Sequence, residues 1–225
     1  ATAKLKMFIC SVTVLFLALH ISCGLKIRGD IVPGRCGRGT QFMLYRAHRA
    51  FLEAHNSRRA SLALGQVTTK EGYTFPAAAN MRFMAYNCTL EEEAAKLTKT
   101  CERFTGVTGF NQADRNFASF DSNNDNGGIS VAEQAASLWW DQRPQWENLQ
   151  NITDSDSSAI SFFLMAQAEI DKFGCSVTLC NKNGNSYYTV ACIYGQKVKV
   201  GSELYQEGPA CSTCSDNCFK HVLCK

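Results

Sequence analysis

The chain has 225 residues, with 23 lysines and arginines against 20 acids, a formal net charge of +3 and twelve cysteines. This near-neutral balance excludes the strong basic field that a nucleic-acid binder needs. About 200 residues suffice for one hydrophobic core of ordinary size, so the cysteines supplement a core and do not replace it.

At the N-terminus, residues 7–21 form an apolar run behind Lys4 and Lys6, too short for a membrane span and shaped like the hydrophobic region of a secretory signal. Ser22 and Gly24 are small residues placed for cleavage after Gly24. Residues 1–24 are therefore assigned to upstream sequence and signal peptide, with Met7 as initiator, and the mature chain is expected to begin at Leu25. No later segment is suited to crossing a bilayer. The cut removes Cys10 and Cys23 and leaves Cys36, Cys88, Cys101, Cys175, Cys180, Cys192, Cys211, Cys214, Cys218 and Cys224. An even set in an exported chain predicts up to five disulfides, because the secretory route is oxidising. A few residues into the mature chain stands Arg28-Gly29-Asp30, a tripeptide that mimics integrin ligands when a tight loop presents it.

From Phe42 to Leu64 the residues Leu44, His48, Phe51, Leu52, His55 and Leu62 recur at three-and-four spacing and Gly65 stands at a capping position, which predicts a long amphipathic helix. His48 and His55 lie seven apart on one face of it, where hydrogen-bonded core histidines are expected. A second helix is predicted from Thr89, capped by Thr89 and Glu92, with Leu90, Ala94, Leu97 and Cys101 turned inward. The stretch from Asp121 to Ile129 is acidic, but Asn126 and Ala132 occupy the places where a calcium loop needs glycine and glutamate, so a polar loop is expected. A third helix, capped by Ser130 and Glu133, runs through Val131, Ala135 and Leu138 and stops before Pro144. A fourth spans about residues 158–168, with Ile160, Phe163 and Leu164 on one side and Phe162 and Met165 widening the apolar arc.

After Gly174 the period changes to two, and Asn183-Gly184 turns one strand into another ending at Tyr194. This is a β-hairpin whose Cys175, Cys180 and Cys192 are expected to tie it to the helices on either side. Helices around a late antiparallel hairpin give an α+β class. Residues 208–225, with Cys211, Cys214, Cys218 and Cys224, form a short cysteine-rich tail expected to fold as a knotted cap. Cys211 and Cys214 have the spacing of a redox pair but not its strand-to-helix setting, which favours structural pairing. Asn87-Cys88-Thr89 and Asn151-Ile152-Thr153 are glycosylation sequons, and a bridge at Cys88 would hide the first.

Several stretches together resemble the CAP superfamily of cysteine-rich secretory proteins, in its nematode venom-allergen-like and Ancylostoma-secreted branch. They are residues 51–59 (FLEAHNSRR) with 62–65 (LALG), residues 78–90, Trp139-Trp140, and Phe173-Gly174-Cys175 with residues 188–194. The resemblance covers residues 25–207 as the CAP domain and implies a disulfide-stabilised three-layer α-β-α sandwich with a central cleft, followed by the tail as a hinge-like element. Members of the family often hold a divalent metal with two histidines and two glutamates. Here the aligned positions carry Thr105 in the segment after Cys101, Arg115, Gln142 and Ser161, so neither a metal nor another cofactor is expected. Between His55 and His221 there is no histidine at all, which leaves a histidine-based catalytic set without members and argues for binding over catalysis.

The resemblance further implies lipid binding. Trp139, Trp140, Pro144 and Trp146 fall where the family's sterol-capturing loop lies, although Trp139 and Trp140 also suit packing of the third helix. Phe162, Phe163 and Met165 are the candidates to line a fatty-acid channel, and equally suit a core helix. The expected role is that of a secreted parasite effector that binds sterol or fatty acid and modulates host immunity. The alternative is a host-receptor antagonist of the integrin type, acting through Arg28, Gly29 and Asp30 or another surface.

Overall fold

The computed structural model describes residue 36 and residues 45–69, 71–104, 110–122, 128–144 and 152–225. The first helix, α1, spans Tyr45–Ala63. Its spacing of Ala47, Phe51, Ala54, Leu62 and Ala63 buries one face. It closes as Gly65 predicts: Gly65, at φ +65°, donates to the Leu62 carbonyl and Gln66 to that of Ser61, which satisfies two of the carbonyls that a helix end leaves unpaired.

A four-stranded sheet lies behind it in the order β1-β3-β4-β2, built from β1 (Ala85–Tyr86), β2 (Arg115–Asp121), β3 (Lys172–Lys182) and β4 (Asn185–Tyr194). The hairpin β3–β4 turns at Asn183 and Gly184, both at positive φ, the type I′ geometry that suits strand twist. The two-residue period of β4 then separates two layers. Ala191 and Ile193 pack with Phe117 and Ala94 beneath α2 (Cys88–Thr98), while Val190, Cys192 and Tyr194 join the main core beneath α1, α3 (Gly128–Trp140) and α4 (Ile160–Ala166). The result is an α+β three-layer α-β-α sandwich. Gly174 lets α2 approach β3, because a Cβ there would sit 2.2 Å from the Glu91 nitrogen and 2.5 Å from the Asn87 carbonyl. Among the described residues no helix is long and apolar enough to cross a membrane.

Several local expectations are corrected. The N-cap of α2 is Asn87, whose Oδ1 accepts from Leu90 N at 3.0 Å, and not Thr89. Two residues upstream of Ser130, Gly128 already begins α3; Ser130 accepts from the Gln134 side chain within the helix, and Glu133 pairs with Arg58 at 2.9 Å. Leu138 is on the solvent side of that helix, whose buried stripe is Val131, Ala132, Ala135, Ala136 and Trp139. The fourth helix is a 3-10 turn, Asp154–Ala159, followed by α4. Strand β2 was not expected, because its run of Phe117, Ala118 and Phe120 is short and opens on the polar triplet Asp114, Arg115 and Asn116.

Five disulfides join the ten expected cysteines: Cys36–Cys88, Cys101–Cys180, Cys175–Cys192, Cys211–Cys218 and Cys214–Cys224. Only Cys101–Cys180 ties the hairpin toward a helix, through the turn that follows α2; Cys175 and Cys192 face each other across β3 and β4 and staple the hairpin to itself. In the tail, β5 (Cys218–Phe219) pairs with β6 (Leu223–Cys224), and Cys224 exchanges backbone hydrogen bonds with the segment 81–83, so the tail lies on the domain as a cap.

At the centre, the fully buried Arg59 donates to five carbonyls. Nε reaches Arg82 at 2.8 Å, Nη1 reaches Met165 and Gln167 at 3.0 and 2.9 Å, and Nη2 reaches Ala168 and Ile170 at 3.1 and 3.2 Å. Burial pushes its pKa down to about 9, which still leaves it charged at neutral pH. Arg59→Met is expected to lower the urea-unfolding free energy of the disulfide-intact protein by about 3 kcal/mol or more, because it orphans those carbonyls, whereas Arg49→Met on the same helix, an exposed pair with Glu53, should change it by less than about 1 kcal/mol.

Candidate functional site

From α1, His55 enters the core opposite the end of β4. His55 Nδ1 donates to the Phe51 carbonyl at 2.8 Å, which fixes the tautomer and leaves Nε2 to accept from the Tyr194 hydroxyl at 2.9 Å. The Tyr194 oxygen accepts in turn from Asn116 Nδ2 at 3.1 Å, and the same amide donates to the Ser161 carbonyl at 3.0 Å. Burial, with Arg58 and Arg59 nearby adding to it, pushes the His55 pKa down to about 3, and burial raises that of Tyr194. Both rings are neutral under ordinary conditions. Asn116 Oδ1 and Ser161 Oγ are buried and have no hydrogen-bond partner among the described residues.

Of the positions that the resemblance aligns with metal ligands, Ser161 meets this chain through its carbonyl and Arg115 is the neighbour of Asn116 in β2. Arg115 is half-buried and grips Asp114, with Nε to Oδ1 at 2.8 Å and Nη2 to Oδ2 at 3.2 Å. Burial pushes the Asp114 carboxyl up, but the Arg115 hydrogen bonds and charge, with Lys197 3.8 Å away, outweigh it and hold the pKa below the usual range. Gln142 lies just beyond α3, its backbone donating to the Trp139 carbonyl. Thr105 lies outside the described residues.

The aromatic candidates occupy the core. Trp139 is fully buried and its Nε1 donates to the Phe117 carbonyl at 2.9 Å, so its one polar atom is engaged. Trp140 is 7% exposed and packs on Phe162 with ring centroids 4.9 Å apart; Pro144 is buried. Phe162, Phe163 and Met165 are buried in the main cluster, where α4 is surrounded on all sides. α4 is only seven residues long and every one of them is buried. Trp146, Asn151 and the triplet Arg28, Gly29 and Asp30 lie outside the described residues, as do residues 123–127 of the acidic loop, whose Asp121 is paired with Arg103 at 2.6 Å. Asn87 is half-buried with Oδ1 engaged as a cap, while Cys88 beside it is bridged to Cys36. Cys211 and Cys214 are each bonded elsewhere. The sequence reading gave no role to Asn116 or to Tyr194, although Tyr194 closes the stretch 188–194 that carries the resemblance, and it missed the contact of His48 with Glu91 on α2 at 2.6 Å.

A three-layer sandwich with these bridges and this helix-one polar set defines the cysteine-rich secretory class. Residues 52–194 match the family described as CAP, Cysteine-rich secretory protein family, and the chain belongs to it. It is similar to hookworm platelet inhibitor 1 of Ancylostoma caninum, at 29% identity over 167 residues covering 74% of this chain and 72% of that protein. It is also similar to Ancylostoma secreted protein of the same organism, at 27% identity over 87% of this chain, and spans 46% of that relative's length. Of the solved structures, NaASP2 with Zn2+ superposes at a TM-score of 0.71 with 31% identity, over 84% of this chain and 100% of that one.

A zinc ion bound as the resemblance implies does not fit the described residues. The cleft positions offer a paired guanidinium, an amide and a hydroxyl where zinc needs neutral imidazole or carboxylate, and the guanidinium is itself a cation. The buried neutral His55 gives the site a pH signature. Its folded pKa lies below the unfolded value of 6.5, so the unfolded chain takes up the proton first and stability falls as pH drops from about 6.5 toward 3. Urea unfolding between pH 6.5 and 5 should lose up to about 1.4 kcal/mol per pH unit through this residue, and His55→Gln is expected to flatten that slope.

Proposed function

We propose that the chain is a secreted, nematode-type CAP effector, with residues 1–24 as leader, 25–207 as the CAP domain and 208–225 as its tail, that acts by binding a host cell-surface receptor and not by catalysis. What supports a binding role is the content of the positions that the resemblance aligns with metal ligands, paired Arg115, Gln142 and Ser161, together with a His55 kept neutral with both ring nitrogens engaged. No described nucleophile there stands next to a free base. A relative named as a platelet inhibitor favours an adhesion receptor as partner, and Arg28, Gly29 and Asp30 supply the tripeptide that an integrin-type receptor engages. The mature chain is expected to reduce platelet or leukocyte adhesion to an integrin ligand surface, and Asp30→Glu to abolish the effect. Full inhibition by the variant would move the contact to the folded domain, and no inhibition by the natural chain would refute the receptor role.

Sterol or fatty-acid capture with host immune modulation is a second reading, carried by the segment that leaves α3, where Trp140 and Pro144 lead into Trp146. Delipidated protein is expected to take up labelled cholesterol saturably, and Trp146→Ala to remove most of that uptake. If the natural chain takes up none, lipid is not the ligand. Glycosylation at Asn151 belongs to the same secreted role, and the Cys36–Cys88 bridge disfavours it at Asn87.

A further inference from the structure

Where α1 and α2 meet at the end of β1, a second buried polar group lies apart from the cleft. Glu91 and His48 are 1% and 4% exposed. His48 Nε2 lies 2.6 Å from Glu91 Oε2, yet the contact is not aligned as a hydrogen bond, and His48 Nε2 and Glu91 Oε1 have no hydrogen-bond partner among the described residues. Tyr86 holds the pair in place: its hydroxyl donates to Glu91 Oε2 at 2.9 Å and its ring stacks on His48 at 4.7 Å. A buried carboxyl group with one oxygen unsatisfied is costly, and a contact not aligned as a hydrogen bond recovers little of that cost. The third member is sulfur. Cys36 Sγ, a His48 ring nitrogen and a Glu91 oxygen all lie within 4.8 Å of one another. In the oxidised chain that sulfur is bonded to Cys88 and is no thiolate.

We propose that the Cys36–Cys88 bridge gates a zinc-class cation site made of Cys36 Sγ, His48 Nε2 and the Glu91 carboxylate, with its fourth position open to water. A dithiol reductant opens it: its two thiols become one disulfide, the Cys36–Cys88 bond breaks, and the two electrons and two protons transferred leave two free thiols. The cation then displaces the Cys36 proton to solvent and takes thiolate, imidazole and carboxylate together. One sulfur, one nitrogen and one oxygen donor suit zinc or cobalt and not magnesium or calcium, and the two anionic ligands neutralise a dication in a buried place. The site uses none of the residues at the family's metal positions and does not depend on the receptor reading.

Cobalt(II) is titrated into the full mature chain carrying Cys88→Ser, which frees Cys36 while the other bridges stay closed. A saturable thiolate-to-cobalt absorption band in the near-ultraviolet is expected, with affinity falling roughly tenfold or more when Glu91→Gln or His48→Ala is added. The oxidised natural chain should give no such band. Zinc added to the mildly reduced natural sequence is expected to slow alkylation of Cys36 about tenfold, read by peptide mass mapping, and to have no such effect in His48→Ala; this measurement decides alone if Cys88→Ser does not fold. The proposal is overturned if zinc leaves Cys36 of the reduced natural chain unprotected, or if either signal survives His48→Ala.

Discussion

The architecture depends on one guanidinium. Arg59 places all five of its N–H donors on backbone carbonyls of the segment 165–170 and of Arg82, so a single side chain of α1 fixes the chain that leaves α4 for β3 and the chain that enters β1. Lysine, with three donors on a flexible stem, has no comparable fork. One turn earlier on the same face, Asn56 donates to the Leu52 and Met84 carbonyls and accepts from Met84 N at 2.8 Å. The inward polar residues of α1 thus replace secondary structure for two irregular segments that would otherwise carry buried, unpaired backbone groups. Sheet, helix layer and C-terminal cap are all referenced to this helix, because the cap in turn hydrogen-bonds to residues 79–83.

The same economy explains the cleft. Ser161, which the resemblance aligns with a metal ligand, here ends a hydrogen-bonded chain from Phe51 through His55, Tyr194 and Asn116, in which direction is imposed by a carbonyl at either end. Neutral groups suffice for that chain, and burial keeps them neutral. The charged groups left nearby, Arg115 with Asp114 and Lys197, satisfy one another at its edge.

Much of the fold was legible because it rests on local signals. The period of α1 with Gly65 behind it, the hairpin turn at Asn183-Gly184 and the ten cysteines each name their own structure. Long-range partners were not legible. Nothing in the sequence says that Glu91, a residue on a helix that looks solvent-facing by its charge, is buried against His48, or that Asn87 and not Thr89 caps that helix, since Gly174 on a distant strand decides how closely α2 approaches. The aromatic residues Trp139, Phe162 and Phe163 were ambiguous for a physical reason: a core helix and a ligand channel require the same side chains. The hydrogen-bonded chain through His55, Tyr194 and Asn116 was not readable either, because its members lie on three separate elements.

The bridges differ most in the length of chain they enclose. Cys211–Cys218, Cys214–Cys224 and Cys175–Cys192 join residues separated by 7, 10 and 17 positions, whereas Cys36–Cys88 and Cys101–Cys180 span 52 and 79. In chain-entropy terms the last restricts the unfolded ensemble most, by about 4.5 kcal/mol. Its loop encloses β2, α3, α4 and most of β3, so the unfolded freedom of all four is reduced by one covalent closure. The short bridges do the opposite: they hold a cap and a hairpin in shape while leaving the global dimensions of the unfolded chain almost unchanged.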